Sequence, residues 1–129
     1  MRRILILENY PPTRQALALT LRREGWEVDL VQTDQEALLA LEQQEAYDVL
    51  LLEADISTGD GWRVLSALQA AHNTTPVVVM LGMEGFNQQR AWDMGACVVL
   101  TKPVGREALL TGVMTALQNP PNGAEHPSA

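Results

Sequence analysis

The chain has 129 residues, of which 47% are hydrophobic and 19% are charged, and its formal net charge is −7. This length suits one domain with one core, and the composition is that of an ordinary globular protein. The acidic balance argues against non-specific binding to DNA or to an anionic membrane, because phosphate contacts need a surface rich in lysine and arginine. We therefore expect no direct nucleic-acid partner and no membrane partner.

Cysteine usage and the first residues bear on where the protein works. Cys97 is the only cysteine, so no intrachain disulfide can form, and we expect a cytoplasmic protein in a reducing compartment. The apolar run that starts at Ile4 stops at Glu8, which makes it too short for a signal peptide or a membrane span. We interpret this run as a buried first strand.

Five short apolar runs alternate with longer amphipathic stretches along the chain. The runs predict strands at residues 4–7, 28–31, 49–52, 77–81 and 98–100. The first, third and fourth runs are apolar without alternation, which is typical of parallel strands covered on both faces. The alternation predicts an α/β domain in which right-handed crossovers place helices on both faces of a parallel sheet.

Local patterns predict the five helices between and after these strands. Helix 1 covers 12–23, and Thr33 and Glu36 have the spacing of a capping box at the start of helix 2. Helices 3 and 4 cover about 61–71 and 86–94. Helix 5 follows from an apolar stripe formed by Leu109, Leu110, Val113, Met114 and Leu117. We divide the chain into one domain, 1–118, and a flexible proline-rich tail or linker, 119–129.

Polar side chains follow three of the predicted strands. Glu8 and Asn9 come after strand 1, Glu53 follows strand 3 with Asp55 two residues later, and Lys102 follows strand 5. Ligands of open α/β sheets bind beyond the carboxyl ends of the strands, where the strand order reverses. We expect the tips of three neighbouring strands to bring Glu8, Glu53 and Lys102 into contact. Lys102 is the only lysine beside eight arginines, which favours a need for a compact point charge at this position.

Several short motifs, in this order and at this spacing, resemble the receiver domain of two-component response regulators. Asp48-Val-Leu-Leu-Leu-Glu53 resembles the family's strand 3, Asp60-Gly61 follows Glu53 at the family spacing, and Gly95-Ala96 lies six residues before Lys102-Pro103. The first helix matches through Arg14, Leu17, Leu21 and Gly25. The resemblance covers about residues 1–118. It implies a flavodoxin-like (βα)5 three-layer sandwich with a five-stranded parallel sheet in the order 2-1-3-4-5.

The resemblance also implies a phosphorylation site. In receiver domains an aspartate after strand 3 takes the phosphoryl group of a donor histidine, and a Mg²⁺ held by an acidic pair and that aspartate offsets the charge on the phosphoryl oxygens. A lysine and a threonine or serine contact the same oxygens. Carried over to this sequence, the phosphoacceptor position is Glu53, the acidic pair is Glu8 and Asn9, the lysine is Lys102, and the hydroxyl position is Leu81.

Glu53 departs from the family's aspartate by one methylene group, which moves its carboxylate by roughly 1.5 Å. In-line phosphoryl transfer depends on positioning, and an error near 1 Å costs about 10²-fold in rate. The longer side chain also reaches toward Lys102 and carries negative charge into the space that a phosphoryl group fills. We therefore expect Glu53 to imitate the phosphorylated state in part.

Three further positions depart from the family pattern. Asn9 supplies no formal charge, so Mg²⁺ binding through Glu8 and Glu53 is expected to be weak, and we expect no other cofactor. Leu81 cannot hydrogen-bond a phosphoryl oxygen, and Val99 replaces the aromatic residue whose rotamer follows phosphorylation in many relatives. Together these changes predict a bacterial signalling module that is not an enzyme and is not phosphorylated at the usual position. It would act by contact with a histidine kinase, an output domain or another regulator.

Three alternatives stay open. Glu53 can be a structural acid that pairs with Lys102 without signalling anything, since a partly buried ion pair adds little net stability. The chain can instead be a working phosphoreceiver that uses Asp55 or tolerates Glu53. A small-ligand or flavin-binding protein would share the topology, but Glu8-Asn9-Tyr10-Pro11-Pro12 does not resemble the phosphate loop that such a protein needs.

Two residues near the end of the domain are candidates for a protein interface. Trp92 turns partly outward if its neighbours on helix 4 face the core, and exposed tryptophan is enriched at interaction hot spots. Receivers commonly use their helix 4–strand 5–helix 5 face for homodimers or partners, and Arg106 lies on the same face. Partial core burial of Trp92 is the competing interpretation. We also expect Trp62 to be half exposed and Cys97 to be a small buried residue that opens strand 5.

Overall fold

The computed structural model describes residues 2–43, 46–54, 59–82 and 87–118. Within these ranges the elements are β1 (Arg3–Leu7), α1 (Pro11–Arg23), β2 (Glu27–Val31), α2 (Asp34–Gln43), β3 (Val49–Glu53), α3 (Asp60–Ala70), β4 (Val77–Leu81), α4 (Gln88–Asp93), β5 (Val98–Thr101) and α5 (Arg106–Gln118). Each strand lies within one residue of its predicted bounds. Asp55, Phe86 at the predicted start of helix 4, and the predicted tail 119–129 lie outside the described residues.

All strand pairs are parallel, and the sheet order is β2-β1-β3-β4-β5, which confirms the predicted fold class. The chain runs from β1 outward to β2 and then returns past β1 to β3, so the strand order reverses between β1 and β3. Leu7 of β1 lies opposite Leu52 of β3. The residues that come next, Glu8 and Glu53, therefore leave the sheet side by side at this reversal point.

The central strands lie between two hydrophobic layers, because successive residues of a strand point to opposite faces of the sheet. One layer packs α1 and α5 against the sheet through Leu17, Leu21, Leu109, Val113 and Ala116. The other layer packs α2, α3 and α4 through Ala37, Val64, Leu65, Leu68 and Ala91. Strands β3 and β4 are buried along their whole length, which explains their unbroken apolar sequences. Among the described helices, none combines the length and the apolarity needed to cross a bilayer.

Three predictions about burial are wrong. Trp62 is 9% exposed rather than half exposed, because it follows Gly61, where the start of α3 lies against the end of β3. Met114 is 36% exposed, since the buried face of α5 is centred on Val113 and its neighbours one turn away. Cys97 precedes β5 and is only partly buried, although this burial raises the pKa of its thiol.

Gly61 is required by a close backbone approach between α3 and β3. A Cβ atom at this position would lie 2.2 Å from the carbonyl oxygen of Glu53 and 2.7 Å from the Cα of Ala54. Both are backbone atoms of a buried strand end, which cannot move aside as a flexible side chain would. The Asp60-Gly61 pair is therefore the point at which α3 docks onto the residue that ends β3.

We expect Gly61→Ala to lower the free energy of unfolding by about 2–3 kcal/mol, because an added methyl group in a closed space forces the two backbones apart. Urea unfolding followed by circular dichroism measures this change. Gly105→Ala is the matched control, since nothing lies within 4 Å of its Cβ position, and its effect should stay within about 1 kcal/mol. Equal losses in the two variants would contradict this account of Gly61.

Candidate functional site

Three charged side chains meet at the carboxyl end of the sheet. The Nζ atom of Lys102 lies 2.7 Å from Oε1 of Glu8 and forms a second ion pair with Oε2 of Glu53. The contact between Glu53 and Lys102 that the sequence predicts is therefore present. The expectation that the three strands are neighbours is wrong, however, because β4 lies between β3 and β5.

The length of the side chains spans this gap. Adjacent strands lie about 4.8 Å apart, so β3 and β5 are separated by roughly 10 Å. The backbone N–H of Lys102 donates to the carbonyl oxygen of Leu81 at 2.8 Å, which keeps Lys102 in register beside the end of β4. From there its four-carbon stem crosses the end of β4, and the extra methylene of Glu53 extends the carboxylate to meet it.

The two carboxylates are almost fully buried. Glu8 is 0% exposed and Glu53 is 2% exposed, whereas the side chain of Lys102 is 25% exposed. The second oxygen of Glu8, Oε2, accepts a hydrogen bond from the backbone N–H of Tyr10 at 3.1 Å. Burial of a carboxylate costs several kcal/mol unless a cation and hydrogen bonds compensate for it. Two buried anions here share the ammonium of Lys102.

The two carboxylates also determine the protonation of Lys102. Burial by itself lowers the pKa of this ammonium, but the hydrogen bonds and negative charges of Glu53 and Glu8 outweigh burial, so the pKa of Lys102 is raised. Lys102 is therefore a fixed positive charge at physiological pH. A further anion at this position would compete with Glu8 and Glu53 for the three N–H donors of the ammonium.

The other residues predicted for the site contribute differently. Asn9 is exposed at the edge of the cluster. Leu81 is fully buried in the hydrophobic layer that also contains Ala54 and Trp62, and Val99 packs against the same layer while partly buried. The positions at which the family would carry a hydroxyl and an aromatic ring are thus filled by aliphatic side chains that extend the core.

The two interface candidates lie on either side of β5. Trp92 is partly buried and packs against the layer beneath α3 and α4, which confirms the interpretation of partial burial. Arg106 is exposed and pairs with Glu24 at 2.9 Å. Strand β5 is an edge strand, and its three apolar residues are partly buried. That this face binds another protein stays a prediction.

A second charged cluster, absent from the sequence predictions, joins α2 to α3. Asp60 is buried at the first position of α3, and Arg63 pairs both with it and with Asp34 of α2, the latter at 2.7 Å. The hydrogen bond from Arg63 lowers the pKa of Asp34. The i, i+3 spacing of Asp60 and Arg63 is a usable sequence signal. The contact with Asp34 has no such signal, because it depends on how α2 packs against α3.

The donor set of the site does not suit Mg²⁺. This ion prefers near-octahedral oxygen ligands, usually one or two carboxylates together with waters. The carboxylates of Glu8 and Glu53 already hold the ammonium of Lys102, which a divalent cation would have to displace. In the described ranges, no three acidic, histidine or cysteine side chains form a group that could bind a metal ion.

Comparison with known proteins decides the family. A family model for the response regulator receiver domain matches residues 4–114. The chain belongs to this family. This receiver domain is 29% identical over 119 residues to the transcriptional regulatory protein PcoR of Escherichia coli. The matched region covers 92% of this chain and 52% of PcoR. It is 27% identical over 112 residues to the cell cycle response regulator CtrA of Brucella ovis. That match covers 86% of this chain and 48% of CtrA. The chain spans about half the length of these curated relatives.

Solved structures of receivers share the fold. The receiver domain of the Francisella response regulator 1452 superposes with a TM-score of 0.83 at 20% identity, covering 92% of this chain and 98% of that one. The chemotaxis response regulator CheY4 of Vibrio cholerae gives a TM-score of 0.80 at 25% identity, covering 91% and 99%. The chain is thus a flavodoxin-like receiver domain, a module of two-component signalling.

Removal of the shared cation should leave two buried carboxylates without compensation. We expect Lys102→Met to lower the free energy of unfolding by about 3 kcal/mol at pH 8. Glu53→Gln added to Lys102→Met should restore part of the stability, because it removes one of the two buried negative charges. Urea unfolding at pH 8 measures these effects. Arg106→Met, which breaks an exposed ion pair, should cost less than about 1 kcal/mol. An equal cost for Lys102→Met and Arg106→Met would refute the shared-cation interpretation.

The raised pKa of Lys102 also predicts the stability of the domain in alkali. The pKa of Lys102 in the folded state lies above its unfolded value of about 10.4. The contribution of Lys102 to the free energy of unfolding is therefore fully present below about pH 10.4, and it is lost as the pH rises through the folded-state pKa. Tyr47 acts in the same direction, because burial and its hydrogen bond to Asp29 (2.6 Å) raise its pKa. In a Tyr47→Phe background, the free energy of unfolding should fall above about pH 10.4. The slope of the free energy of unfolding against pH should be shallower once Lys102→Met is added. Equal slopes would show that Lys102 does not have a raised pKa.

Proposed function

We propose that this receiver domain signals by protein–protein contact and is not phosphorylated at Glu53, the position that corresponds to the family's phosphoacceptor. The observation that carries the proposal is the ion pair between Glu53 and Lys102. The carboxylate that would have to attack the phosphoryl group is bound to the ammonium that would have to receive the phosphoryl oxygens. The ion pair therefore engages both the nucleophile, Glu53, and the cation, Lys102, that the reaction would need.

The position of the nucleophile supports this proposal. Glutamate extends its carboxylate roughly 1.5 Å beyond that of aspartate, and an error near 1 Å costs in-line transfer about 10²-fold. The carboxylate of Glu53 is also almost fully buried. Attack on a donor would require Glu53 to leave its ion pair with Lys102 and to turn toward solvent.

The charge balance of the site supports it as well. A phosphoryl group carries about −1.5 to −2 charges at neutral pH, and it would lie beside the buried carboxylate of Glu8. Relatives offset such charge with Mg²⁺. Here Asn9 replaces one carboxylate, and Lys102 forms ion pairs with the other two, those of Glu8 and Glu53. We therefore expect Mg²⁺ binding to be weak and no other cofactor to be used. Lys102 alone would have to offset two negative groups, the carboxylate of Glu8 and the phosphoryl group.

The aliphatic residues at the switch positions bear on what phosphorylation would achieve. Leu81 offers no hydroxyl that could move toward a phosphoryl group, and Val99 has no ring that could rotate in response. Both belong to or pack against the hydrophobic layer next to α4. A phosphoryl group at Glu53 would therefore lack the side chains that transmit its presence in the family. This favours a module that is recognised in one conformation.

Partners of this module would be a histidine kinase, an output domain or another regulator. The α4–β5–α5 face, with Trp92 and Arg106, is our candidate for such a contact or for a homodimer, because β5 is an edge strand with partly buried apolar residues. The net charge of −7 argues against direct binding of this domain to nucleic acid. The domain is proposed to act as a binding module rather than as an enzyme.

Intact-mass measurement after incubation with acetyl phosphate and Mg²⁺ tests the proposal. The wild-type chain should show no phosphoryl adduct under conditions that modify an active receiver run in parallel. Glu53→Asp combined with Asn9→Asp and Leu81→Thr should gain an adduct, because the three changes restore the family's acceptor, acidic pair and hydroxyl. Glu53→Asp alone should gain less, and adding Lys102→Met to the triple variant should remove most of the adduct.

The same measurement separates the proposal from its alternative. A stoichiometric adduct on the wild-type chain that is lost in Glu53→Gln would establish a working phosphoreceiver that tolerates glutamate. Loss in Asp55→Asn instead would place the acceptor at Asp55. Either result would overturn the proposed function.

A further inference from the structure

The position of α4 depends on side chains that join it to α3. With six residues, α4 is too short to be stable by itself, so its neighbours must hold it. The Cζ atom of Arg90 lies 4.1 Å from the centroid of the Trp62 ring on α3. At the end of α4, the carbonyl oxygen of Asp93 accepts a hydrogen bond from Nε2 of Gln69 at 3.2 Å. Side chains of α3 thus hold α4 at two points.

Trp62 is a rigid partner for this contact. Its side chain is 9% exposed and belongs to the buried layer that also contains Leu81 and Ala91. It directly follows Gly61, which lies against the backbone of Glu53 with no room for a methyl group. The ring therefore has little freedom to move, and it connects the end of β3 to α4 through continuous packing.

Arg90 supplies the part of the contact that comes from α4. Its side chain is exposed, so the guanidinium stays hydrated on one side while it covers the indole ring on the other. Indole is the ring that binds cations best, and a planar guanidinium stacks on it more effectively than an ammonium does. The single buried side chain within α4 is Ala91, which offers little area for packing. The stack adds a contact with α3 to the packing of Ala91 and of the partly buried Trp92 against the core.

We propose that the stack of Arg90 on Trp62 is a conformational lock that holds α4 in one position without phosphorylation. This inference rests on the proposed function, and it explains how the surface of the domain that a partner would contact keeps one arrangement. With Leu81 and Val99 at the switch positions, α4 has no polar connection to the charged site through those residues. The lock anchors α4 to α3 instead, and it holds Trp92 and the rest of the α4 surface in a single arrangement.

Amide hydrogen exchange, followed by NMR on the full chain, tests the lock. The backbone amides of Ala91, Met94 and Ala96 each donate a hydrogen bond within or next to α4. Arg90→Gln should accelerate their exchange about fivefold, while the amides of α5 stay within about twofold of wild type. Arg106→Gln is the matched control, since it removes an exposed guanidinium paired with Glu24 and should leave α4 unchanged.

A double-mutant cycle identifies the ring as the partner. Trp62→Leu keeps a buried apolar side chain but removes the ring face, and adding Arg90→Gln to it should accelerate α4 exchange no further. Arg90→Lys, which does not alter the core, should give an intermediate acceleration and serves if Trp62→Leu fails to fold. Unchanged α4 exchange in Arg90→Gln, equal acceleration in α4 and α5, or additive effects in the cycle would overturn the lock. Because exchange is measured without a phosphodonor, its outcome is independent of the mass measurement that tests the proposed function.

Discussion

The carboxyl end of this sheet is organised by one ammonium group shared between two buried carboxylates. Glu8 and Glu53 leave adjacent strands at the point where the strand order reverses, and Lys102 reaches them from the far side of β4. Because a buried ion pair returns little more than its desolvation costs, this cluster adds little net stability. Substitution of Lys102 would nevertheless be costly, since the loss of its ammonium leaves uncompensated negative charge in the interior.

The backbone around Glu53 is packed as closely as its side chain. Gly61 lies against the carbonyl of Glu53, so the end of β3 and the start of α3 form one rigid unit. This approach carries Trp62 into the buried layer and presents Arg63 to Asp34 of α2. A single close contact therefore positions both the charged cluster between α2 and α3 and the ring that contacts Arg90 of α4.

The charged and apolar parts of the site are divided between strands. β1, β3 and β5 supply the charges, whereas β4 ends in Leu81, a residue of the hydrophobic layer. The family resemblance implies a threonine or serine at this strand end, where its hydroxyl would contact the phosphoryl oxygens. An aliphatic side chain couples that strand end to the core instead. The contacts of α4 are packing against this layer and the Arg90–Trp62 contact, on which the proposed lock rests.

The sequence by itself determined the strands, the helices and the residues that end each strand, because apolar runs and helical stripes depend only on near neighbours in the chain. It also predicted that Glu53 and Lys102 meet. Only the tertiary structure decided that Trp62 is buried beneath Arg90 and that Arg63 bridges two helices. Burial and ion pairing depend on which distant segments pack together, and no local pattern of residues contains that information.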